Sequence, residues 1–209
     1  VVSTTQITAT APTEAAGAVQ VTVTTPGGTS GGLAYYYVNA PALSALTPSQ
    51  GPVSGGTTVT LTSTNLTGAT AVTFGTTPAT SFTVVSTTQI TATTPTEAAG
   101  AVQVTVTTPG GTSNALTYTY APPPTLTALA PSQGPTSGGT TVTLTGTNLT
   151  GTTAVTFGGT PATSFTVLSA GEVTAIAPPR AAAAVQVMVT TPGGMSNTLT
   201  YTQIQPPGI

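Results

Sequence analysis

One block of sequence appears twice in this chain with two substitutions. Pro48–Leu66 reads PSQGPVSGGTTVTLTSTNL, and Pro131–Leu149 reads PSQGPTSGGTTVTLTGTNL. The two copies start 83 residues apart, and the same offset relates Val1–Ile7 to Val84–Ile90 and Pro109 to Pro192. Val1–Ser30 matches Val84–Ser113 at every position except Ala11, where the later copy has Thr94. A constant period of this length, without insertion, marks a whole small domain copied in tandem rather than one rung of a solenoid. The sequence therefore divides into the back half of a repeat at 1–41, a complete repeat at 42–124, and a complete repeat with a short tail at 125–209.

Inside the 42–124 repeat, apolar residues recur at every second position. Val59 and Leu61 alternate with Thr58, Thr60 and Thr62; Val102, Val104 and Val106 alternate with Gln103, Thr105 and Thr107. Leu116, Tyr118 and Tyr120 alternate with Thr117 and Thr119, and shorter runs surround Val72–Phe74, Phe82–Val84 and Ile90–Ala92. Period two is the signature of a strand with one buried face. Threonine suits the other face, because its β-branch fits the pleat and its hydroxyl stays hydrated. Gly and Pro cluster at Pro48–Gly56, Asn65–Gly68, Thr94–Gly100 and Pro109–Asn114, which places the turns. Helical periodicity is absent apart from candidate single turns at Glu97–Gly100 and Arg180–Ala184.

About seven short strands in a repeat of this size predict an all-β, immunoglobulin-like sandwich. Its expected core is Leu43, Leu46, Val59, Leu61, Val72, Phe74, Phe82, Ile90, Val102, Val104 and Leu116. Tyr120-Ala121-Pro122-Pro123-Pro124 leaves a short, extended linker. Tandem sandwiches joined this way should form a stiff rod rather than loose beads.

The ordered blocks resemble the IPT/TIG domain: PSQGPxSGGTTVTLTxTNL, AVTFG, TPATSFTV, QITATxP, VQVTVTTPGGTSN and a closing YxY strand. The resemblance covers one partial and two complete copies. It implies an immunoglobulin-like fold of the kind found in bacterial surface proteins, receptor ectodomains and Rel-type transcription factors. It implies a scaffold, not a reaction.

Chemistry is nearly absent from the side chains. The 209 residues include no His, Cys, Trp, Lys or Asp; the charged residues are Glu14, Glu97, Glu172 and Arg180. A hydroxyl nucleophile needs a base, and a glycosidase needs two facing carboxylates. Glu14 and Glu97 occupy equivalent positions, and the same position in the last repeat is Arg180. A catalytic site would not be reversed in charge between copies, so the chain is expected to be no enzyme and to hold no cofactor or metal. One Arg cannot neutralise a run of phosphates, which excludes nucleic acid as a partner. No apolar run approaches the roughly 18–20 residues of a membrane helix, so membrane insertion is not expected in this segment. No basic stretch followed by an apolar one opens the sequence, so a secretory signal is not expected within this segment.

Two features remain as candidate sites. Asn65-Leu66-Thr67 and Asn148-Leu149-Thr150 fit the N-glycosylation sequon, although the preferred expectation is that each Asn shapes its turn. Tyr35, Tyr36 and Tyr37 form an aromatic run that would offer an interaction surface, for example for stacking on sugar rings. The preferred expectation is that two of them close a core and one packs at a domain junction.

Val1–Val38 carries only the last three strands of a repeat and would leave Val19, Val21, Val23 and Leu33 without cover. A neighbouring molecule supplying the missing strands is one explanation. A segment of a longer array is the preferred expectation, and extending the chain by half a repeat should then stabilise it. The functional expectation is a non-catalytic extracellular structural or adhesive protein, a stalk or self-assembling filament at a microbial cell surface. The alternative is an accessory spacer or carbohydrate-binding module of a larger secreted enzyme or receptor. Expected partners are further copies of the chain and, in the alternative, glycans or other surface ligands.

Overall fold

The computed structural model describes residues 1–205 and 207, and its secondary structure there consists of strands without a helix. Residues 206, 208 and 209 of the expected C-terminal tail lie outside the described residues. The alternating pattern produces two sandwiches of identical topology. In the first, one antiparallel sheet orders Ser81–Ser86, Gln89–Thr93, Thr58–Thr64 and Ala42–Thr47. The facing sheet orders Gln50–Pro52, Leu116–Ala121, Gly100–Thr108, Ala71–Phe74 and the two-residue strand Thr77–Pro78. Gly111–Thr112 adds a short pairing to Gly100–Thr108. Each of these strands recurs 83 residues later in the second sandwich.

The chain crosses from one sheet to the other at Pro48 and Pro131, which both follow cis peptide bonds. Gln50–Pro52 then lies parallel to Leu116–Ala121. The sequence had marked Pro48–Gly56 only as a turn. Three residues between turn signals carry too little alternation to reveal a strand, and the pairing partner is distant in sequence.

Each sandwich closes on its own core. In the first, Leu43, Val59, Leu61, Leu66, Val72, Phe74, Ile90, Ala92, Val104, Val106, Tyr118 and Tyr120 are buried together. Leu46, Phe82, Val102 and Leu116 pack against them while remaining partly accessible. The core is thus centred further along the strands than the pattern suggested. Leu66, Val106 and the two tyrosines belong to it, and Phe82 lies on an outer strand at its margin. Tyr118 packs edge-on to Phe74 at 5.4 Å and to Tyr120 at 5.0 Å. Such aromatic contacts add to the area they bury. Outside the core, the threonines meet across strands, as where Thr73 Oγ1 and Thr105 Oγ1 lie 2.9 Å apart.

The expected helical turns do not form. Residues 94–98 and 177–181 are irregular before the strands Gly100–Thr108 and Ala183–Thr191 begin. Their backbone is tied to a neighbouring segment instead: Glu97 N donates to Val53 O and Arg180 N to Thr136 O, each at 3.0 Å.

Of the three strands expected in Val1–Val38, the first does not form. Gly17–Val21 pairs with Leu33–Tyr37, and a small hairpin joins Thr24–Thr25 to Gly28–Thr29. Upstream there is one isolated bridge, between Ser3 and Gln6. Gln6–Thr10 has the same letters as strand Gln89–Thr93, yet makes no strand. That strand lies between two others in the complete sandwich, and no such neighbours exist for residues 6–10 among the described residues.

Candidate interaction surface at the repeat junction

The residues with the most specific geometry lie where the chain enters each sandwich. Three turns meet there: Asn65–Gly68, the hairpin turn at Thr87-Thr88, and Pro109–Gly111. Leu66 N donates to Thr87 O at 3.0 Å, and Thr70 N donates to Thr107 O at 2.8 Å, which ties the three together.

Asn65 takes up a left-handed backbone conformation with φ of 56°, and Asn148 does the same at 55°. Asn tolerates this region better than most side chains. Asn65 Nδ2 donates to Ala40 O at 3.2 Å, and Asn148 Nδ2 donates to Pro123 O at 3.0 Å. Both carbonyls belong to the entering linker. Both sequon asparagines are exposed, and their amide nitrogens hold the linker in place.

The glycine turn presses on the same linker. A side chain at Gly110 would collide with the carbonyl oxygens of Asn39 and Val38, and one at Gly193 with those of Pro122 and Ala121. The turn is shaped by a buried hydroxyl: Gly110 N donates to Thr108 Oγ1 at 3.2 Å, and Gly193 N to Thr191 Oγ1 at 3.1 Å. Two residues past the linker proline, a further clamp holds the first strand. Asn114 Oδ1 accepts from Leu43 N at 2.7 Å, and its Nδ2 donates to Leu43 O at 3.0 Å. Asn197 repeats both bonds on Leu126 at 2.8 and 3.0 Å. Sequence reasoning flagged Asn65 and Asn148 but missed Gly110, Thr108 and Asn114. The available signal was the recurring TTPGGxSN run, whose letters read simply as a turn.

A cleft opens at each junction. The first, of about 480 Å³, is lined by Tyr37, Val38 and Asn39 on one side and by Asn65, Thr67 and Pro109 on the other. The second, of about 280 Å³, lies between Gln50, Ala121 and Pro122 and the loop residues Asn148, Thr150 and Pro192. Of the tyrosine run, Tyr37 lines the first cleft. Tyr35 packs edge-on to it at 5.0 Å, and Tyr36 points away with 67% of its surface exposed. Packing, then the neighbouring Tyr35 and Glu14, hold the Tyr37 hydroxyl above the ordinary tyrosine range. The expectation that two of these rings close a core is corrected. Their counterparts Tyr118 and Tyr120 are buried, but no second sheet faces Tyr35 and Tyr37 among the described residues.

Among the described residues no three His, Cys, Asp or Glu side chains come together. The lone Arg180 is committed to its own repeat, where Nη1 lies 2.7 Å from Phe157 O and 2.8 Å from both Gly158 O and Thr160 Oγ1.

Fold and junction together describe a tandem array of immunoglobulin-like modules. The sequence matches the IPT/TIG domain over residues 41–120 and 124–203, and the chain belongs to that family. No curated protein sequence matches it. Among solved structures it resembles the extracellular region of plexin A4 in two crystal forms. Identity is 25% in each, with TM-scores of 0.51 and 0.55 over 78% and 79% of this chain. It also resembles SGBP-B from a xyloglucan utilization locus of Bacteroides uniformis, at 21% identity and a TM-score of 0.35, over 78% of this chain and 49% of that one. The chain spans 18% and 16% of the two plexin chains.

Proposed function

We propose that this chain is part of a non-catalytic extracellular stalk or self-assembling filament at a microbial surface. The observation that supports it is the repeated junction. The same asparagine bond and the same glycine contact fix the linker at both module entrances, so each module is set on its predecessor by the same constraints. Equal junctions propagate one geometry along an array, as a regular rod requires. The plexin likeness supports an extracellular setting. A formal charge of -2 over 209 residues leaves little repulsion between neighbouring rods. In this reading Asn65 and Asn148 act as latches for the linker rather than as glycan acceptors.

Electron microscopy of the purified protein tests the proposal. Straight rods of uniform length that associate side by side or end to end are expected. Freely jointed beads that never associate would overturn it. A second reading, a spacer or carbohydrate-binding module, draws support from the tyrosine-lined cleft at Tyr37. Specific glycan-array binding that is lost in Tyr37→Ala would favour it.

A further inference from the structure

We propose that the face formed by Gly17–Val21 and Leu33–Tyr37 is a docking site for the front half of an IPT/TIG repeat on another molecule, a polypeptide with the sequence of residues 42–83. The same face occurs twice in the chain, once covered and once not. In the first complete repeat Phe74 pairs with Val104, and its ring lies edge-on to Tyr118 at 5.4 Å and to Tyr120 at 6.5 Å. Gln50–Pro52 adds itself to the edge of Leu116–Ala121. The front half of that repeat thus fills an apolar face and an open sheet edge together.

The uncovered face already has the shape of the covered one. Gly17, Val19 and Val21 stand opposite Tyr37, Tyr35 and Leu33, in the register that sets Gly100, Val102 and Val104 opposite Tyr120, Tyr118 and Leu116. Tyr35 and Tyr37 meet at 5.0 Å and 76°, as Tyr118 and Tyr120 do at 5.0 Å and 71°. The side chains that would point into a core are unchanged between the copies, while Ala34 and Tyr36, which replace Thr117 and Thr119, fall on the other side of the strand. What differs is cover. Val104 and Tyr118 are fully buried, whereas Val21 and Tyr35 are half exposed and Leu33 is 77% exposed. The two strands form a sheet of two, so among the described residues both of their outer edges are open.

Register and side-chain direction go together in a sheet, so a front half arriving here finds its phenylalanine site beside the two tyrosines and its edge site along Leu33–Tyr37. A partner surface already in its bound arrangement lowers the ordering cost of docking. Neither residues 17–38 nor residues 42–83 carry a charged side chain, so nothing repels the two. The front halves of both complete repeats are buried in their own sandwiches, which leaves this face to a front half from elsewhere. Gly31 stands where Asn114 clamps Leu43, so the docked segment is held by its later strands and not by its first. This inference does not rest on the stalk reading, which concerns the junctions.

The test adds residues 42–83, fused to a soluble carrier protein, to the whole chain, and follows uptake by calorimetric titration and hydrogen exchange. One front half per chain is expected. Exchange should slow at Val21 and Tyr35, and also across Gln6–Thr10, which would become a strand as Gln89–Thr93 is. Val21→Asp should weaken uptake about tenfold or more, because docking would bury the charge. The half-exposed position lets that variant fold as the parent does. A Phe74→Asp front half should not dock. The proposal is overturned if the parent takes up no front half, or if Val21→Asp takes it up unchanged, which would mean exchange into a complete repeat. It is also overturned if the chain alone sediments as a dimer that Val21→Asp dissociates, because a second copy would then cover the face.

Discussion

Residues 1–30 and 84–113 differ at one position, yet they occupy different structural states. Ile90 and Val104 are fully buried, whereas their counterparts Ile7 and Val21 are 49% and 50% exposed. Gln89–Thr93 is an inner strand, and Gln6–Thr10 is none. Intrinsic preference is the same in both copies, so it cannot be the cause. The later copy meets Thr58–Thr64 on one side and a facing sheet across the core. Alternation states what a strand would bury, and a second sheet is needed before there is anywhere to bury it.

The sharpest test of that contrast replaces the paired isoleucines. Ile90→Ala should cost the first complete repeat about 2–5 kcal/mol, as large-to-small core changes do. Ile7→Ala should stay within about 0.5 kcal/mol, as surface changes do. Denaturant unfolding of the two variants measures both, and equal costs would break the comparison.

Next in size is the glycine turn. Gly110→Ala drives a methyl into the linker carbonyls and should cost about 1–3 kcal/mol, the range for overpacking. Its counterpart Gly27 meets only Thr25 Oγ1, at 3.6 Å, so Gly27→Ala should be nearly silent in the same thermal melt.

Removing the strand clamp comes third. Asn114→Ala deletes two hydrogen bonds to Leu43 and should lower stability by about 1–2 kcal/mol. The counterpart position in the first half repeat is Gly31, which has no side-chain amide to make these bonds. Hydrogen exchange at the Leu43 amide reports the loss directly.

The last contrast is alkaline. Burial first, then the nearby Tyr118 and Glu97, push the Tyr120 hydroxyl up to about 12. The folded state therefore holds its proton where the unfolded chain releases it near the ordinary tyrosine value of about 10. The neutral ring contributes its full stability below about pH 10 and loses it as pH rises toward 12. The second repeat has Gln203 at this position, buried and donating to Pro178 O at 2.6 Å. Melting curves between pH 9 and about 12 should show an alkaline loss that Tyr120→Gln reduces.

Much of the architecture was legible in the letters. The 83-residue period, the sandwich class and most of Leu43 to Leu116 as core came from alternation and Gly/Pro spacing alone. Asn65 and Asn148 were marked by their sequon, and the structure shows their amides on the linker. The strand Gln50–Pro52 was hidden by its shortness. The clamp of Asn114 on Leu43 spans 71 residues, a distance across which local pattern carries no information. The oxygens that hold Arg180 in the second repeat are largely backbone ones, which no residue type advertises.

The amino-acid order determined which side chains seek cover and where the backbone turns, because both follow from local sterics and hydrophobicity. It also determined that catalytic chemistry has almost no groups to use. Only the tertiary structure decided which of two nearly identical segments completes a sheet, which tyrosines enter a core, and how each linker is gripped. Those outcomes depend on a second surface arriving from far along the chain, and no residue's own preference supplies one.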